Sequence, residues 1–188
     1  NDAITGTAFT PPTEGAVAFW YRCNGPSGIQ RLFGLGGNWE TRLYSDGVLY
    51  FDVNADSPGG ANSMNTLTPM ATSGQWYHAV LTFDSDDDTY AIYINGELHK
   101  SGVSGNDLTQ QTAAQLSFGN RTGTTERLIG ALDDVRIYNR KLSQQEIYEI
   151  YGLAAWYKLD ETSGTFAADA TGLGDDGAYV GSPTLGAA

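Results

Sequence analysis

The chain has 188 residues, 40% of them hydrophobic and 12% aromatic. That is enough for one ordinary domain or one large all-β domain, and it excludes wholesale disorder. A formal net charge of −12 argues against nucleic acid as a partner, because phosphate binding needs clustered Lys and Arg. It suits a protein working outside the cell or one that gathers cations. No run approaches the roughly 20 apolar residues of a membrane span, so membrane insertion is not expected. No basic-plus-apolar leader opens the sequence, so an export signal would lie outside it. Cys23 is the single cysteine, which rules out an internal disulfide and reads as a buried thiol on a strand.

In chain order the pattern is a series of strands. GAVAFWYRC (Gly15–Cys23) places Val17, Phe19 and Tyr21 on one face and Ala16, Ala18 and Trp20 on the other. IQRLFGLGG follows, then WETRLYSDGVLYFDV, where Ser45-Asp46-Gly47 reads as a hairpin turn between TRLY and VLYFDV. QWYHAVLTFD is a strand with His78 inside it, and SDDD makes an acidic turn. TYAIYINGELHKSG closes a second hairpin at Asn95-Gly96, a strong hairpin signal because both turn positions favour positive φ. AAQLSFGN and LIGALDDVRIYN complete the set. Many short strands at regular spacing predict an all-β fold, a two-sheet antiparallel jelly roll sandwich. Its expected core includes Val17, Phe19, Val80, Leu81, Ile92, Ile94, Val135 and Ile137.

One helix is expected near Ser143–Tyr151. Ser143 is its N-cap, and Glu146 three residues on completes a capping box. Leu142 and Ile147 are placed to form a hydrophobic staple, and Gly152 is the left-handed stop. After this closing element AAWYKLDETSGTF (Ala154–Phe166) reads as an opening strand and turn.

Retaining glycoside hydrolysis needs two carboxylates about 5 Å apart across a cleft. Asp133 and Asp134 are adjacent, so a regular strand points them to opposite faces, and Asp160 and Glu161 fail in the same way. His78 and His99 have no evident nucleophile, and the reading is a non-enzyme. DATGLGDDG (Asp169–Gly177) has the oxygen-rich composition of a calcium loop. Asp133 shares the expected inward face of Val135 and Ile137, where a carboxylate must be paired, hydrogen-bonded or metal-bound. Asp134 and Arg136, on the opposite face, are placed to pair with each other. Trp20, Trp39, Trp76 and Trp156 could each stack on sugar if exposed, although tryptophans in a sandwich are more often core. Trp39, between GGN and Glu40, is the one expected at the surface and is the candidate carbohydrate-binding residue. Asn120-Arg121-Thr122 matches the N-glycosylation pattern at Asn120.

GALDDVRIYNRKLSQQEIYEIYG (Gly130–Gly152) resembles the closing signature of LamG-like jelly roll domains in the concanavalin A-like lectin/glucanase superfamily. GQWYHAVLTFD, TYAIYINGELHKSG and GAVAFWYR resemble their central strand, hairpin and early strand. The resemblance implies that residues 1–152 are a jelly roll lacking its usual first strand. Residues 153–188 then resemble the first strand and loop of a repeat, completing this module or a neighbouring one. The chain would be one repeat of a tandem array cut out of phase, a circular permutant, or a domain carrying the start of the next. The resemblance also implies a structural calcium, with Asp133, Asp160, Asp169 and Asp175 as ligands. The leading functional expectation is a non-catalytic module, extracellular or at the cell surface, structural or adhesive. It would assemble head-to-tail with identical modules into a fibre by strand donation, through Trp156, Leu159, Phe166 and Tyr179. The alternative is a carbohydrate-binding module, with glycans as partners, attached to a surface protein or secreted enzyme.

Overall fold

A computed structural model describes residues 4–35, 39–53, 63–104, 113–120 and 126–180. The chain divides into two compact units, Asn1–Leu142 and Ser143–Ala188. The division falls ahead of the helix rather than after Gly152, where the sequence pattern placed it.

The first unit is a sandwich of two antiparallel sheets. One has six strands, β1 (Ile4–Phe9), β10 (Ala114–Phe118), β3 (Gln30–Leu35), β4 (Trp39–Leu43), β5 (Leu49–Val53) and β6 (Ser63–Asn65), in that spatial order. The other has five: β11 (Gly130–Tyr138), β2 (Glu14–Cys23), β7 (Trp76–Asp84), β8 (Thr89–Ile94) and β9 (Glu97–Val103). Residues alternating along each strand supply the layer between them. Val17, Phe19 and Tyr21 of β2 meet Trp39, Leu43, Phe51 and Val53 of the opposite sheet, all at most 1% exposed. Burying each such side chain stabilises the fold by roughly 1.5–3 kcal/mol.

The two expected hairpins are present. Gly47 has φ 80° in the β4–β5 turn, and Asn95 and Gly96 have φ 51° and 86° between β8 and β9. Pairing outward from the first turn fixes Leu43 opposite Leu49, Arg42 opposite Tyr50 and Glu40 opposite Asp52. Val17, Phe19, Leu81, Ile92 and Ile94 lie in the core as expected, with Val135 and Ile137 packed at its border. Val80 is fully buried as expected, paired with Ala18 on the other face of the five-stranded sheet.

Asp133 is a correction. The register runs Leu132–Tyr21 and Asp133–Trp20, then breaks and resumes at Arg136–Ala18 and Ile137–Val17. Asp134 sits at φ 46° inside this bulge. The extra residue changes the phase of the strand, so Leu132 and Ile137 both face inward while Asp133 is exposed on the outer face. It needs no buried partner. Asp134 and Arg136 pair as expected, at 2.7 and 2.8 Å.

The second unit contains α1 (Gln144–Tyr151), β12 (Phe166–Ala167) and β13 (Gly177–Ala178). The Ser143 capping box is complete and Gly152 stops the helix at φ 87°. The N–H of Leu153 donates to Tyr148 O, and the Tyr148 and Trp156 rings meet edge-on with centroids 6.3 Å apart. These contacts tie the segment after Gly152 to the helix. β12 and β13 pair with each other as a separate two-stranded sheet. The expected strand around Trp156–Leu159 is reduced to one bridge, Tyr157 to Asp169. Its backbone is diverted: the Trp156 N–H donates to the Asp169 carboxylate at 2.9 Å, and Leu159 takes φ 57°.

Candidate functional site

The outer face of the six-stranded sheet is where the described residues concentrate chemistry. Because Trp39, Thr41 and Leu43 point into the core, Glu40 and Arg42 must point out; Tyr50 and Asp52 of β5 do the same. Glu40 is 3% exposed, Arg42 5% and Asp52 4%. Buried charges persist only when paired and hydrogen-bonded, and these are. Arg42 donates to Asp52 through both Nε and Nη2. Arg31 of β3, opposite Arg42, bonds to Glu40 and to Glu126. Arg31 is held protonated by its hydrogen bonds to these two carboxylates, against burial, which pulls its pKa the other way.

At the turn end of this face the charges give way to aromatics. The Arg42 guanidinium lies 5.6 Å from the centroid of the Tyr44 ring. The Tyr44 and Tyr50 centroids are 4.5 Å apart at an interplanar angle of 51°, and both rings are half-buried. Burial raises the Tyr44 pKa, with Arg42 pulling against it. Beside Tyr50, Asn65 of β6 accepts a 2.9 Å hydrogen bond from Lys100 Nζ of β9.

None of these residues was singled out from the sequence, although the signal was present. The turn at Ser45–Gly47 fixes the pairing, and alternation through WETRL and LYFDV then puts Glu40, Arg42, Tyr50 and Asp52 on one face.

The tryptophans are placed differently from the expectation. Trp39 is 0% exposed and sits edge-on to Phe83 at 4.5 Å, so it is core and not a sugar platform. The short GGN run before it suggested a surface position, but Trp39 begins a strand in the inward phase. Trp76 is 37% exposed and carries the Arg22 guanidinium over its ring. Trp20 lies 5.0 Å from the His78 ring. His78 is 2% exposed, and burial pushes its pKa down to about 4, so it is a neutral strand residue at pH 7.

Three of the expected calcium ligands, Asp160, Asp169 and Asp175, lie in the second unit. Asp169 is 8% exposed and accepts from the backbone N–H groups of Trp156, Thr171 and Asp175 and from the Thr171 hydroxyl. The Thr171 hydroxyl and the Trp156 amide hold its pKa down, to about 2. Asp160 and Asp175 are exposed, and the Asp175 carbonyl accepts from the Tyr157 hydroxyl. Among the described residues no group of three or more His, Cys, Asp or Glu is arranged to hold a metal. Of the residues expected in assembly, Leu159 and Phe166 are each 63% exposed. Trp156 and Tyr179 are half-buried, and the Tyr179 hydroxyl donates to Glu161 at 2.5 Å. Asn120 is half-buried, while Arg121 and Thr122 of its motif lie outside the described residues. Among the described residues no helix is long and apolar enough to cross a membrane.

Known folds match the sandwich. A heptameric pentraxin from Limulus polyphemus superposes with TM-score 0.62 at 19% identity, over 79% of this chain and 75% of its own. The CBM40 of a Ruminococcus gnavus IT-sialidase, bound to α2,3 sialyllactose, gives 0.62 at 15% identity, over 79% and 98%. A proposed carbohydrate-binding protein from Bacteroides ovatus gives 0.62 at 18% identity and covers the whole chain, which spans 59% of that protein. At these identities the likeness is one of fold. The profile of a laminin G family, described as the concanavalin A-like lectin/glucanases superfamily, matches residues 3–148. The chain therefore belongs to that laminin G-like family of the concanavalin A-like lectin/glucanases superfamily.

Proposed function

We propose that the protein is a non-catalytic carbohydrate-binding module acting outside the cell or at its surface. The observation that carries this reading is the outer face of the six-stranded sheet, where paired charges make a fixed polar floor beside two half-buried tyrosines. Sugar sites need this combination of a few placed polar groups and aromatic surface. The likeness to modules that are named for carbohydrate binding supports it. Glu40 and Asp52 oppose each other in register, but each is occupied by an arginine rather than presented to a substrate. The test is a glycan array followed by calorimetry on the hits, together with a hydrolysis assay on each bound glycan. Binding without turnover is expected; turnover that Glu40→Gln abolishes would overturn the non-catalytic part.

A second reading, assembly by strand donation, is favoured by a separate observation. Leu159, Phe166 and Val180 are 63%, 63% and 94% exposed on a segment that has almost no strand ladder. β11 pairs with β2 along one edge only among the described residues, and beside its end lies a groove of about 320 Å³ lined by Thr10, Pro12, Ile137, Tyr138 and Asn139. An unpaired edge and an apolar segment are the two halves of β-augmentation. Light scattering over a concentration series checks it: concentration-dependent oligomers are expected, and a monomer at all concentrations would remove this reading. Calcium belongs to the same set of proposals. A melting temperature lowered by chelation would support a bound ion.

A further inference from the structure

We infer that Tyr44, Tyr50 and Asn65 form the contact surface for one ring of an uncharged pyranose oligosaccharide. The inference rests on the carbohydrate-binding reading above and deepens it. The three residues come from the β4–β5 hairpin and the neighbouring β6, and they meet on one end of the outer face. The two tilted rings make an open clip rather than a flat stack, held from below by the Arg42–Asp52 pair. Sugar rings present faces of C–H groups that pack against aromatic π-systems, while their hydroxyls need polar partners at the rim.

That rim is available. Neither tyrosine hydroxyl makes a hydrogen bond to the protein among the described residues. The Asn65 side-chain oxygen is committed to Lys100, which fixes the amide and orients its nitrogen as a donor. Two phenols and an amide therefore offer donors and acceptors suited to hydroxyl groups. The charge around them selects against an acidic sugar. Asp52 lies beneath the clip and Asp46 is exposed in the turn between Tyr44 and Tyr50. Arg42 and Arg31 are already committed to carboxylates, and the chain carries a net charge of −12. A sugar carboxylate would meet no uncommitted guanidinium here, and the ammonium at the rim, Lys100 Nζ, is held by Asn65 and outnumbered by Asp46 and Asp52.

Calorimetry on the full chain tests this with uncharged β-linked tetrasaccharides of glucose, xylose, mannose and galactose, beside α2,3-sialyllactose. At least one uncharged probe should bind, and Tyr44→Ala and Tyr50→Ala should each weaken it by about tenfold. If either variant melts early, Tyr50→Phe and Asn65→Ala replace it. Each removes hydrogen-bonding groups and leaves the clip's rings in place, and about a fivefold loss is expected. Binding that none of these substitutions changes would overturn the clip and leave the carbohydrate-binding reading standing. Binding of sialyllactose alone would overturn the uncharged class. Failure of every probe would overturn the clip for uncharged sugars, while the glycan array decides the carbohydrate-binding reading separately.

Discussion

The sandwich and the segment after the helix use the same residue types for opposite ends. In the sandwich, aromatics fill the space between the sheets and carboxylates are tied to arginines on an outer face. In residues 153–180 the aromatics and Leu159 are largely exposed or half-buried, and one carboxylate, Asp169, gathers the backbone around itself. A long ladder satisfies its own amides and leaves side chains free to pack. A segment without a ladder must satisfy its amides with side chains. The difference predicts that core substitutions hurt the first region most, and carboxylate substitutions the second.

The largest effect should come from Trp39→Ala. The side chain is fully buried against Phe83, and removing it loses apolar transfer energy and leaves a cavity. A loss of about 3–5 kcal/mol is expected, read as a fall in the denaturant midpoint. A loss below about 1 kcal/mol would mean that Trp39 lies at the surface, as the sequence pattern suggested.

Next comes the paired outer face. Asp52→Ala strands the Arg42 charge at a site that is almost closed to water. About 3 kcal/mol should be lost, while the double change Arg42→Met with Asp52→Leu should cost far less, since the pair's attraction largely offsets its desolvation. Chemical denaturation of the three variants and wild type forms the cycle. Equal losses in the single and double variants would place the cost in packing rather than in charge.

The elements legible in the sequence were those with local causes. Hairpins follow from Asn95-Gly96 and Asp46-Gly47, and the helix ends follow from Ser143, Glu146 and Gly152. The errors came where a distant partner decides. Asp133 was misplaced because one bulge residue inverted the phase, and Trp39 because only the opposite sheet shows that it is covered. The tyrosine clip needed the pairing of three strands, which is a long-range property until the turn is used to count outward from it.

Asp169→Ala should act locally. The amides of Trp156, Thr171 and Asp175 lose their acceptor, so their hydrogen-exchange protection should fall, with β2 and β7 as internal references. Acid should mimic the substitution. A carboxylate whose folded pKa is depressed contributes stability above its unfolded value, here 3.8, and loses it as pH falls through about 2. Protection at these amides should therefore fade between those values in wild type and be absent at every pH in the variant.

The smallest effect on stability, and the sharpest on the comparison, is expected from Leu159→Gly. Leucine at φ 57° pays a steric penalty that glycine avoids, roughly 1 kcal/mol, and its side chain is 63% exposed, so little packing is lost in exchange. In the isolated chain the substitution should be neutral or slightly stabilising. Strand donation reverses the sign. An inserted segment is extended, which relieves the strain at Leu159, and its side chain is buried against the acceptor. Glycine removes both gains and adds backbone entropy to be lost on insertion. Sedimentation velocity on wild type and Leu159→Gly, beside Phe166→Ser, separates the cases. If the segment is donated, both variants should shift the distribution toward monomer without lowering the melting temperature. Unchanged sedimentation would mean that the left-handed turn at Leu159 is the segment's working conformation, and that its exposed side chains serve no exchange between copies.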